Sequence, residues 1–119
     1  MIGLQRADCS LADAFHRIKS GVAKDVELMN ARQQRYAFKF TDNGSDFVVS
    51  VLLPHIHAFV TFRLKRMHIE FVDRGGSLTT ATVALNDDGD CLVKVNGRTR
   101  EFWQFRKDAL EPLFFGLED

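Results

Sequence analysis

The chain has 119 residues, 45% of them apolar and 27% charged, enough for one domain around one hydrophobic core. Sixteen basic residues balance sixteen acidic ones, which excludes both a bulk polycation for nucleic acid and an acidic solvating chain. Two prolines and eight glycines exclude a disordered or collagen-like chain.

The first element is helical. Leu11, Phe15, Ile18, Val22, Val26 and Met29 recur at steps of four and three, the apolar stripe of an amphipathic helix expected over about 10–33. Ser10 with Asp13 three residues on fits a capping box that starts it, and Gly21 weakens its middle. The period then changes to two. Tyr36, Phe38 and Phe40 alternate with Ala37, Lys39 and Thr41 in a strand over about 35–41, closed by the hairpin signal Asp42-Asn43-Gly44-Ser45. A second strand over 46–53 stops at Pro54.

Alternation resumes with Ile56, Ala58, Val60, Phe62 and Leu64, slips by one at Lys65-Arg66, and continues through Met67, Ile69 and Phe71. No turn-forming residue stands at the slip, so one long strand over 56–72 bent by a β-bulge is expected there. Arg74-Gly75-Gly76, Asn86-Asp87-Asp88-Gly89 and Asn96-Gly97 are turn signals that separate strands over 77–85, 91–95 and 99–106. Asp108 with Glu111 opens a short helix over about 108–115, with Pro112 near its first turn and Gly116 at its end.

The sum is a single α+β domain over 1–119. A long N-terminal amphipathic helix packs on a strongly bent antiparallel meander of five to six strands, followed by a short C-terminal helix. Eleven phenylalanines supply the core volume. The most apolar stretch, Phe47 to Leu53, is far shorter than the ~20 residues of a spanning helix, and Arg6, Asp8 and Asp13 interrupt any signal-peptide core, so no membrane partner is expected. Cys9 and Cys91 belong to no CxxC pair and are expected as reduced thiols in a cytoplasmic protein.

Several residue groups could carry chemistry. His55 and His57, two apart on a strand, share a face, as do His68 and Glu70; together they would suit zinc or ferrous iron only if the chain folded back at Lys65-Arg66. No third ligand is fixed by spacing, so no metal and no cofactor is expected. Asn86, Asp88 and Asp90 begin like a calcium loop, but Cys91 and Gly97 stand where glycine and glutamate are required. Cys9 precedes a helix, yet its nearest histidine, His16, lies about two turns away on the same helix. GxSxG, HExxH, GxxxxGK[ST] and GxGxxG are all missing, and no enzyme is expected.

Three binding readings remain. Leu113, Phe114, Phe115 and Leu117 crowd the C-terminal helix and its exit, and an apolar surplus of that kind marks a protein–protein surface, here of a small adaptor, chaperone, immunity protein or inhibitor that pairs with itself as a homodimer. A pocket between long helix and sheet, lined by Phe38, Phe40, Phe62 and Phe71, would take an apolar small ligand. Arg98, Arg100, Phe102 and Arg106 would share one face of the last strand by parity, a basic and aromatic arrangement that can stack bases and hold phosphates of a nucleic acid.

Overall fold

The computed structural model describes residues 9–33, 35–51 and 57–117. Among the described residues, helix α1 (Leu11–Arg32) precedes seven strands, β1 (Phe38–Asp42), β2 (Asp46–Val51), β3 (Phe59–Leu64), β4 (Ile69–Val72), β5 (Leu78–Leu85), β6 (Cys91–Val95) and β7 (Arg98–Arg100), and helix α2 (Phe102–Phe115) follows β7. The strands form one antiparallel meander in sequence order, with β1 and β7 at its edges. The α+β architecture stands, with seven strands in place of five or six.

Helix α1 follows its stripe. Ala14, Phe15, Ile18, Val22 and Val26 are buried, and Ser10 caps the N-terminus by accepting from the Asp13 amide at 3.1 Å. Its far end is tied to the sheet by side-chain amides. Asn30 donates through Nδ2 to the Phe38 carbonyl at 2.9 Å and accepts from the Phe38 amide at 3.0 Å. Gln33 accepts from the amides of Arg35 and Tyr36 and donates to the Tyr36 carbonyl. These bonds satisfy backbone groups that the corner would otherwise strand. Lys19, midway along α1, donates to Asp42 Oδ1 and to the Gly44 carbonyl, which pins the β1–β2 turn under the helix.

The inner sheet face is an aromatic ladder. Cross-strand register places Phe47 opposite Phe62 and Phe62 opposite Phe71. Their ring centroids are 4.6 and 5.8 Å apart. Phe15 from α1 covers Phe47 at 5.3 Å, and Phe105 from α2 covers Phe71 at 5.1 Å. Fully burying such a ring contributes about 3 kcal/mol relative to leaving it in water. Both helices therefore lie on one face of the sheet and share one core with it.

Three expectations are corrected. Where one strand over 56–72 is expected, the described residues form two strands, β3 and β4, joined by a tight turn at 65–68, where the Lys65 amide donates to the His68 carbonyl at 2.8 Å. No residue of this turn has a positive φ, so it needs neither glycine nor asparagine and leaves no mark in the sequence. The last strand ends at Arg100, and α2 begins at Phe102, six residues before the expected start. Glu101 and Gln104 form a reciprocal capping box there, and Phe102, Phe105, Ala109, Leu110 and Leu113 are the buried stripe. Pro112 then lies inside the helix, where its ring nitrogen removes one hydrogen bond near the C-terminal end. Cys9 and Cys91 are joined in a disulfide that clips the start of α1 to β6.

Candidate functional site

The two helices run in the same direction and touch where residues 17–25 of α1 meet residues 102–106 of α2. Arg17 lies over the Phe102 ring, 4.2 Å from its centroid. One turn further along α1, Gly21 makes room for the Arg106 side chain: a Cβ at Gly21 would stand 2.6–2.7 Å from its Nη1, Cδ and Cζ atoms. Another turn on, Asp25 Oδ2 accepts from Arg106 Nε at 2.8 Å. The glycine that weakens α1 thus permits the close contact between the helices.

Beside this clamp a groove of roughly 330 Å³ opens between the C-terminal half of α1 and the length of α2. Met29, Leu110 and Phe114 line it, and Asp25, Arg32, Arg106, Lys107 and Glu111 bring charge to it. Leu28, Trp103 and Phe115 also line it and are 52%, 54% and 67% exposed. Large apolar side chains scattered singly over a surface are ordinary; three gathered on one concave strip are not. Two ion pairs stand among these side chains, Asp25 with Arg106 at 2.8 Å and, on α2 between Trp103 and Phe115, Lys107 with Glu111 at 3.8 Å.

The expected contact residues divide. Phe115 is exposed, and Phe114 lines the groove while its ring meets Phe38 edge-on at 4.9 Å. Leu113 is completely buried in the core, because α2 turns it toward the sheet. Leu117 is half-buried, and its carbonyl accepts from the Tyr36 hydroxyl at 3.4 Å. The sequence reading passed over Trp103 and Leu28. The signal for Trp103 was the Glu101–Gln104 cap, which starts a helix before it.

The other candidate groups are used structurally. Phe38, Phe62 and Phe71 are buried and Phe40 packs on Phe47 at 5.5 Å, so the rings expected to line a ligand pocket cover one another as core. The basic strand face does not exist as drawn, because Phe102 and Arg106 are helical. Arg98 and Arg100 pair with Val95 and Val93 and so share the inner sheet face. Arg100 donates to Asp108 Oδ2 at 2.8 Å, Arg106 is held by Asp25, and Phe102 is buried under Arg17. Asn86 Oδ1 accepts from the amides of Asp88 and Asp90, which makes the acidic turn a self-capped hairpin loop.

On the outer sheet face, His68 Nε2 and Glu70 Oε1 are 3.0 Å apart, with Arg63 across the strand at 3.6 Å. The hydrogen bond to His68 holds the buried Glu70 carboxyl below its ordinary range, against a desolvation that pushes it up. His57 is exposed and His55 lies outside the described residues. Among the described residues, no three of His, Cys, Asp and Glu gather as a metal site, and no helix is long and apolar enough to cross a membrane. Phe59 and Leu78 are also exposed on the outer face, apart from the groove. Comparison with protein-family models, with curated proteins and with solved structures finds no match for this chain.

Proposed function

We propose that this protein is a binding module, not an enzyme, and that it docks a helical segment of a protein partner in the groove between α1 and α2. The observation that carries this reading is the convergence of Leu28, Trp103 and Phe115, each more than half exposed, on one strip that also carries two ion pairs. An apolar strip interspersed with charges has the chemistry of helix-in-groove recognition, where aromatic anchors carry most of the energy and charged contacts set orientation. The charged residues at the groove support binding over catalysis, since four of them are committed to ion pairs. Nucleic-acid recognition loses its ground with Arg100 and Arg106 neutralised by Asp108 and Asp25. The cytosolic setting expected from free thiols loses its ground with Cys9 bridged to Cys91, and the mass of the protein before and after reduction tests the bridge.

Trp103 is the chain's one tryptophan, so its emission reports directly on the groove. The probe is a synthetic amphipathic helix with leucines along one face and lysine and glutamate on the other. The expected result is a saturable blue shift, either on adding the peptide or on concentrating the protein itself, that is lost in Leu28→Asp. An emission that stays at its solvent-exposed position under both treatments refutes the docking surface.

A further inference from the structure

We infer that the occupant of the groove is a second copy of this chain, with the two α2 helices packed antiparallel about a two-fold axis; the inference rests on the groove being a docking surface. Trp103, Lys107, Glu111 and Phe115 follow one another at steps of four on α2, which places them on one ridge of the helix. All four are exposed: Trp103 and Phe115 as given above, the Lys107 and Glu111 side chains at 59% and 53%. The order along the ridge is aromatic, basic, acidic, aromatic.

That order is complementary to its own reverse. A two-fold axis passing midway between Lys107 and Glu111 sets Trp103 against the partner's Phe115 and Lys107 against the partner's Glu111, and each contact occurs twice. A two-fold interface must be built from one self-complementary patch, and this ridge meets that condition. The parallel alternative would set lysine against lysine and glutamate against glutamate, so the charge order selects the antiparallel direction. Lys107 and Glu111 already stand 3.8 Å apart within one chain, and the pairing extends that contact into a four-charge array at the centre of the interface. Leu28 on α1 lies beside the ridge and widens the apolar contact for the incoming helix.

The test is sedimentation equilibrium on four samples of the full chain: wild type, Lys107→Glu, Glu111→Lys, and an equimolar mixture of the two variants. The wild type is expected at twice the 13.6 kDa chain mass. Each variant alone sets like charges together at both central contacts, and its association is expected to weaken on the order of a hundredfold. The mixture is expected to recover a one-to-one heterodimer, because each reversed charge then faces its opposite. The intrachain Lys107–Glu111 contact is broken in both variants whether alone or mixed, so a change in helix stability cannot produce that recovery. A wild type at single-chain mass, a dimer that neither variant weakens, or a mixture that stays monomeric overturns the inference. If the wild type is monomeric while the Trp103 emission still shifts with the amphipathic peptide, only self-pairing fails. If the emission is unmoved as well, the docking reading fails with it.

Discussion

A methyl group at Gly21 sets two effects against each other. Replacing a mid-helix glycine with alanine favours α1 by about 1 kcal/mol through backbone entropy. The same methyl would stand 2.6–2.7 Å from three atoms of Arg106, so that side chain must leave its place. Arg106 then loses its ion pair with Asp25, in which the two side chains are 21% and 29% exposed, together with the packing of its stem on α1. A partly buried pair and stem of this kind contribute about 1–2 kcal/mol. Gly21→Ala alone is therefore expected to be neutral or to destabilise by up to about 1 kcal/mol. In an Arg106→Ala background the obstruction is gone, and Gly21→Ala should stabilise by about 1 kcal/mol, or raise the melting temperature by about 4 °C for a domain of this size. Urea and thermal denaturation of the four proteins close the cycle, with an expected coupling of about 1–2 kcal/mol. If Gly21→Ala has the same effect in both backgrounds, to within about 0.3 kcal/mol, Arg106 does not lie over Gly21 and the helix–helix contact is wrongly drawn.

The disulfide and the buried carboxylate give two further tests. Cys9 and Cys91 stand 82 positions apart, and closing so long a loop in the unfolded chain is worth at most about 4–5 kcal/mol, of which about 3 is usually realised. Cys9→Ser with Cys91→Ser should destabilise by about that amount; a wild-type melting temperature that reductant leaves unchanged would show that the two sulfurs are not joined in solution. Glu70 has a folded pKa below its ordinary 4.5, chiefly through the His68 hydrogen bond, so its contribution to stability is present above that ordinary value and is lost as pH falls through the folded one. His68→Ala removes the bond and should cost about 1 kcal/mol at neutral pH while moving acid unfolding to higher pH. A Glu70 carboxyl titration, followed by carbon NMR, that His68→Ala leaves in place would exclude this coupling.

Legibility in the sequence depended on whether a structure demanded particular residues. The stripe from Leu11 to Met29 and the Ser10 cap are requirements of α1, and both are visible. The hairpin turns at Gly44, Gly76, Gly89 and Asn96-Gly97 all need positive φ, which restricts them to residue types that announce a turn. The β3–β4 turn needs none, and Lys65-Arg66 reads as strand for that reason. The disulfide was hidden because separation along the chain says nothing about separation across a sheet. At the last boundary two periods competed. Arg98, Arg100, Phe102, Gln104 and Arg106 alternate like a strand, while Phe102, Phe105, Ala109 and Leu113 repeat like a helix. The helix won because its apolar residues bury against β4 and β1, and because Glu101 and Gln104 cap it.

That single boundary decides what the surface is. With a helix starting at 108, Trp103 belongs to a strand and Phe115 to the end of a two-turn plug, and nothing relates them. With α2 starting at Phe102, both stand on one ridge, outside the stripe that packs on the sheet, with Lys107 and Glu111 between them. The same logic applies to α1, whose buried stripe leaves Leu28 outside it and beside the same groove. Residues that complete a stripe are explained by the fold. Trp103, Phe115 and Leu28 complete none, and polar residues in their places would leave the buried core unchanged. Their gathering on one groove is therefore a feature that folding does not account for, and the proposed docking of another molecule would.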